Sequence, residues 1–366
     1  KEVTQVVVDC LKNYCANAGR GGHKMSIKTA EEITLCREQL ATFFGVKNPL
    51  RFCFTKNTTE SLNIGIKGVL KSGDHVITTH AEHNSVIRPL KELERDGIIS
   101  LTIVDVDNAG VVTADNISKA MQLNTKLVVL NHANNVTGCV NPIFDIGKMV
   151  RQKGVLMMVD AAQTAGCLAI SLEHIDLLAF PGHKSLLAPQ GVGVLYVRPG
   201  VVLKPLMSGG TGTESKNLYQ PIEYPEFLES GTLNAPAIVG LRAGVNYIAQ
   251  MGTEKVHAQE MQLFKRAFDG LKSIPNVIVY GHDNVQNHVG VISFNIRYKD
   301  CVEVASQLST SYNIALRAGY HCNYLAHQAI GTGDIGTVRV SFNTMNQMHQ
   351  LDHFLMAVNQ LALRPH

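Results

Sequence analysis

The chain has 366 residues, 45% hydrophobic and 17% charged, enough for a large core and a length that favours two domains over one. A net charge of +3, 6% aromatic content and no Lys/Arg run argue against nucleic acid as a partner. No apolar stretch approaches a membrane span and no signal peptide is seen, so the expectation is a soluble, cytoplasmic protein without membrane contact.

In chain order, helical patterns at 2–17 and 26–44 precede short β-like runs at 50–54, 75–78, 98–104, 126–130 and 155–159. Helix-like segments at 59–70, 85–95, 114–121 and 143–152 lie between them, and two more apolar runs follow at 177–180 and 192–197. Strands spaced by helices predict an α/β fold with a mostly parallel sheet covered on both faces, and ligands then belong at the carboxyl ends of the strands. From about position 240 the pattern changes. Long helical stretches at 236–250 and 253–272 lead to strands near 289–295 and 337–341 and to an amphipathic helix at 347–363, a smaller α+β unit. The division expected is an N-terminal helix (1–19) packing with the small domain, a large domain (20–243) and a small C-terminal domain (244–366).

Chemistry collects at the strand ends. "VLMMVDAAQTAG" closes an apolar strand on Asp160, with Gln163 three residues on; a buried carboxylate needs a partner, or else it is a helix N-cap. In "TKNTTESLN", Thr58 and Thr59 open a helix whose N-terminus suits an anion, with an ordinary cap involving Glu60 as the alternative. "AEHNSV" sets His83 between strand and helix, where a structural histidine is the alternative, and "NHANNVTG" crowds Asn131, Asn134 and Asn135 at another strand end, where asparagines also serve turns. "PGHK" puts Lys184 where the strand at 177–180 gives way to a Gly-rich loop. All these motifs fall on one edge of the predicted sheet. A phosphate site, a buried acid and a lysine converging there point to pyridoxal 5'-phosphate, which takes a lysine amine, a carboxylate at its ring nitrogen and a helix N-terminus for its phosphate. The eight cysteines contain no CxxC pair, so no zinc site, other metal site or disulfide framework is indicated.

The ordered set "RGGHKMS", "TKNTTESLN", "AEHNSV", "NHANNVTG", "VDAAQTAG", "PGHK", "LESGTLN", "RAGYHC" and "TVRVSFN" resembles the class V aminotransferase-fold family over nearly the whole chain, in its cysteine desulfurase and selenocysteine lyase branch. The resemblance implies the type I fold of pyridoxal-phosphate transferases. It implies that Lys184 carries the cofactor, Asp160 pairs with the ring nitrogen, Gln163 bonds the ring hydroxyl and His83 stacks on the ring. Asn135 would lie by the ring hydroxyl and the substrate carboxylate. Thr58, Thr59 and His183 would hold the phosphate, joined by Thr232 of a second subunit in a homodimer with shared sites. Arg339 would clamp the substrate carboxylate. Cys322 in "RAGYHC" would take sulfur from L-cysteine as a persulfide, leaving L-alanine, with Arg317 and His321 nearby favouring the thiolate.

Cys322 and Arg339 are 17 positions apart, a short segment like that of group II desulfurases, for which a sulfur-acceptor protein would have to reach in. Three departures stand out: Pro181 replaces a phosphate-contacting serine of many relatives, the "DNAATT"-like segment expected before the first helix is not in the sequence, and Tyr320 replaces a histidine of some relatives. The alternatives are a selenocysteine lyase acting on L-selenocysteine, another class V aminotransferase that does not use Cys322, and a non-catalytic cofactor-binding relative.

Overall fold

The computed structural model describes residues 1–19, 21–282 and 287–364. Arg20, first residue of both the expected large domain and the "RGGHKMS" motif, lies outside them, as do positions 365 and 366 at the end of the expected small domain.

The large sheet has seven strands: β1 (Phe52–Thr55), β2 (Asp74–Thr79), β3 (Ile99–Val104), β4 (Thr125–Asn131), β5 (Leu156–Asp160), β6 (Leu177–Pro181) and β7 (Gly193–Val197). Their spatial order is β1-β7-β6-β5-β4-β2-β3, with β7 alone antiparallel to its neighbours. The near-continuous apolar character of β4 to β6 follows from this, because a strand inside a parallel sheet buries both faces. One face carries Phe52, Val128, Val159, Phe180 and Val194, and the other Cys53, Leu127, Val129, Met158 and Leu195, each set in its own core. Each large apolar side chain so buried contributes ~1.5–3 kcal/mol.

The second sheet is antiparallel: β8 (Val277–Tyr280), β9 (Val291–Ile296), β10 (Arg317–Gly319) and β11 (Thr337–Ser341), in the order β10-β11-β9-β8. Helices Thr253–Ser273, Cys301–Tyr312 and Met348–Leu363 contribute Phe264, Leu308 and Phe354 to a core shared with Phe294 of β9. The strand expected at 289–295 starts at Val291. β8 and β10, four and three residues long, give too short a periodic signal to read from sequence. The first helix ends at Asn13 rather than 17, since Tyr14 turns out of helical geometry at φ −150°. Helix Glu2–Asn13 packs on helix Ala235–Met251, which crosses position 243/244; a Cβ at Gly240 would sit 3.0 Å from Val7 Cγ2, so glycine permits that approach.

No helix among the described residues is long and apolar enough to cross a membrane.

Candidate active site

Six strands of the large sheet end on one side, and the exits of five of them build the site. After β1, helix Thr58–Val69 is capped by Asn57, whose Oδ1 accepts the Glu60 N–H at 3.0 Å, while Glu60 Oε2 accepts the Lys56 N–H at 2.5 Å. The alternative of a cap on Thr58 or Thr59 is therefore not realised. Asn57 takes that role, and Thr59 Oγ1 lies 2.8 Å from Ser85 Oγ.

After β2, His83 caps helix Asn84–Arg95. Its Nδ1 accepts the Ser85 N–H at 3.1 Å and lies 2.9 Å from Ser85 Oγ. A ring that accepts at Nδ1 keeps its proton on Nε2 when neutral. Burial, together with Lys184, Arg317 and Arg339, pushes His83 down to about 4, so at neutral pH the imidazole is uncharged. The same histidine that caps the helix also lines the cavity described below.

After β4, Asn135 is held on all sides: its Nδ2 donates to His321 O at 2.9 Å, its Oδ1 accepts from Asn323 Nδ2 at 2.8 Å, and its carbonyl accepts from Arg339 Nη1 at 2.9 Å. Asp160 ends β5 and is 5% exposed. No helix follows it, so the helix-cap alternative fails; its Oδ1 accepts the Ala162 N–H at 2.9 Å in a turn. Burial raises its pKa, and the Lys184 charge pulls the other way.

After β6 come Gly182, His183 and Lys184. The Lys184 side chain is open toward the cavity, while protein encloses its amine elsewhere. That enclosure lowers its pKa, Asp160 pulls it back up, and Arg339 and Arg317 lower it again, leaving it at about 8. Deprotonated amine is thus accessible near neutrality.

A cavity of about 460 Å³ joins these exits. Thr58, Thr59, His83, Asn135, Asp160, Gln163, His183, Lys184 and Arg339 line it, with Pro181 at the end of β6 beside them. Two expected residues stand apart. Thr232 lines a neighbouring cavity that shares Asn57 and His183 with the first, on a loop fixed by the buried pair Arg37 and Glu229, Nη1 to Oε1 at 2.7 Å. Cys322 is exposed and reaches the first cavity through Arg317, which lines it and whose Nη2 donates to Cys322 Sγ at 3.2 Å.

The expectation that His321 also supplies charge at the thiol is corrected. Its ring is buried with Nε2 3.0 Å from Thr337 Oγ1, and burial beside Arg339 pushes it down to about 3, so it is neutral. Arg317 is the positive group in contact with the sulfur.

Sequence reasoning missed several members. Ser85 bridges Thr59 and His83, and the "HNSV" run holds the only hint of it. Glu82, 1% exposed, accepts at Oε1 from Thr79 Oγ1 and from the Asn131 N–H and Nδ2; burial pushes it up to about 8. Glu260, 3% exposed, lines the cavity's far side and is pushed up to about 7 by burial.

The model of the aminotransferase class-V family matches residues 1–354. The chain belongs to that family. It is 34% identical over 372 residues to a probable cysteine desulfurase of Pyrococcus abyssi, covering 99% of this chain and 91% of the relative. A probable cysteine desulfurase of Methanothermobacter thermautotrophicus is 33% identical, over 98% of this chain and 91% of its own. Among solved structures, the apo cysteine desulfurase of Thermococcus onnurineus superposes with a TM-score of 0.92 at 34% identity, covering 99% of this chain and 91% of that one. The seven-stranded, mostly parallel sheet with its smaller antiparallel partner is thus the pyridoxal-phosphate transferase fold expected of this class-V chain. Enzymes of the class-V family depend on pyridoxal phosphate.

Proposed function

We propose that this chain is a cysteine desulfurase that converts L-cysteine to L-alanine and takes the sulfur onto Cys322 as a persulfide. The observation that carries this reading is the 3.2 Å contact from Arg317 to Cys322 Sγ at a cavity whose wall also holds Lys184, Asp160 and Arg339. A transaminase site has no need of an exposed thiol held against a permanent cation.

The residues present suit pyridoxal phosphate. Arg339 Nε is buried without a hydrogen-bond partner in a wall facing the cavity, a waiting donor for a carboxylate. The opposite end has the N-terminus of helix Thr58–Val69, the hydroxyls of Thr59 and Ser85, and His183, a donor set for a phosphate. These groups also stand in for the serine hydroxyl that Pro181 lacks. When bound, the cofactor supplies an electron sink for the substrate's α-carbon.

The protein's own residues do the rest. Lys184 would hold the cofactor and, freed, move the α-proton, a task suited to an amine at about 8. Asp160, kept near Lys184 in a buried setting, would hold positive charge on the ring nitrogen, and Gln163 would bond the ring hydroxyl. His83 would offer a neutral flat face with its proton on Nε2. Arg339 would take the substrate carboxylate beside Asn135. The Cys322 thiolate would then attack the substrate sulfur: the S–S bond forms, the Cβ–S bond breaks, and its electron pair remains with the carbon, which gains a proton to become the methyl group of alanine.

Three further elements belong to this proposal. One is a closed homodimer in which Thr232 completes the partner's phosphate site. Another is the division into a large domain at 20–243 and a small one at 244–366, with helix 1–19 set apart. The last is an acceptor protein that collects the sulfur at the exposed Cys322.

The test is an assay of alanine and sulfide from L-cysteine by the purified protein supplied with pyridoxal phosphate, run beside L-selenocysteine. Alanine from both supports the proposal. Alanine from selenocysteine alone favours the lyase, and amino-group transfer to a keto acid without sulfide favours an aminotransferase.

A further inference from the structure

The backbone at the nucleophile is strained. His321 and Cys322 sit consecutively at φ +51° and +59°, a left-handed conformation that costs a residue with a Cβ ~1–2 kcal/mol at each position. Such a turn persists only where its surroundings over-determine it. The next residue, Asn323, is fully buried, and its carboxamide does two jobs. Oδ1 accepts the Ala326 N–H at 3.3 Å and so caps helix Tyr324–Ala329. Nδ2 donates to Ala81 O at 2.7 Å and to Asn135 Oδ1 at 2.8 Å. A carbonyl can only accept and an N–H can only donate, so the amide has one workable orientation.

These bonds join the nucleophile's turn to two of the strand exits that carry binding groups, those after β2 and β4. Ala81 lies two residues before His83, and Asn135 gives its carbonyl to Arg339 and its own Nδ2 to His321 O. The Asn84 N–H completes the clamp by donating to Cys322 O at 2.8 Å. The turn thus crosses from the small sheet to the large one with its backbone pinned on both sides of the sulfur.

We propose that Asn323 is a positioning residue for sulfur transfer: its Nδ2 bonds to Ala81 and Asn135 set the place of the Cys322 thiol relative to the substrate held at Arg339. This rests on the desulfurase reading. Asn323 touches no reacting atom; it acts through the turn.

The experiment uses the holoenzyme and two variants that keep the cap. In Asn323→Ser the hydroxyl still caps the helix but is too short for Ala81 and Asn135; in Asn323→Asp the cap acceptor remains but the donor is gone. Expected are a fall in kcat for alanine formation of ~10–100-fold, the scale of a misplaced reacting group, a KM within about threefold as for lost transition-state contacts, an unchanged cofactor spectrum and the same spectral response to added L-cysteine. If Asp fails to fold, Ser alone decides. A kcat within twofold of wild type, or a loss matched by lost cofactor or raised KM, overturns the proposal. Cys322→Ala, run in parallel, separates the failures: full activity there removes the desulfurase reading itself, whereas an inactive Cys322→Ala beside a wild-type Asn323→Ser removes only the positioning role.

Discussion

Arg317 and Arg339 are direct register partners across the β10–β11 ladder, yet their guanidinium groups serve different points of the site. Arg317 donates to Cys322 Sγ, and Arg339 reaches Asn135 O while its Nε stays free. Each cation raises the cost of the other; burial together with Arg317 pushes Arg339 down to about 10. On the proposed reading the pair has a purpose: Arg339 would receive the substrate carboxylate, and Arg317 would face the sulfur of Cys322.

Arg317→Ala should therefore damage sulfur transfer more than substrate binding. Removing the only guanidinium that donates to Sγ among the described residues should lower kcat about tenfold or more, on the scale of a lost electrostatic donor. Arg339→Ala should chiefly raise KM for L-cysteine. Steady-state kinetics on both variants check the contrast, and equal effects on both constants would contradict it.

Lys184→Ala should abolish covalent trapping of the cofactor by borohydride, because Lys184 is the lysine that lines the cavity beside Asp160. Peptide mapping after reduction reads the site, and label on another lysine would end the assignment.

Asp160→Asn should cut turnover by about 100-fold or more, in the range of lost charge stabilisation, with little change in Tm. The carboxylate's pKa is raised by burial, so its charge stabilises the fold little, and the amide can still accept the Ala162 N–H. Thermal melting beside the activity assay separates the two effects; near-wild-type turnover would sink the ring-nitrogen role.

Glu260 carries a pH signature. Its folded pKa, about 7, lies above the ordinary carboxylate value of 4.5, so the folded protein binds the extra proton. Its stabilising contribution is then complete below 4.5 and lost as pH rises through 7. Glu260→Gln should raise Tm at pH 8, by about 2–4 °C for each kcal/mol recovered, with the gain vanishing near pH 5. A pH-independent difference would contradict it.

Legibility in the sequence followed the length of the local signal. Asp160 was readable because a carboxylate closing an apolar strand is conspicuous against burial cost, and Lys184 because it stands just past the apolar strand Leu177–Pro181 where a Gly-rich loop begins. The cap on Asn57 was not, because Thr58 and Thr59 are equally good capping types and only the fold selects among them. Glu82 and Asn323 gave no local signal, since their partners Asn131 and Ala81 lie 49 and 242 positions away. His321 was misread because proximity in sequence to Cys322 says nothing of where its ring points; with its backbone left-handed, the ring meets Thr337 of β11. Cys301 opens helix Cys301–Tyr312 and is buried with Sγ 3.1 Å from Ile335 O, so Cys301→Ala should leave activity intact while costing some stability.

The most direct test of sulfur capture at Cys322 is peptide mass spectrometry of the holoenzyme after one turnover with L-cysteine, beside the Cys322→Ala variant. The predicted result is one added sulfur atom on the peptide containing Cys322 and no alanine from the variant. Full alanine formation by Cys322→Ala, or the added sulfur on any of the other seven cysteines, would contradict it.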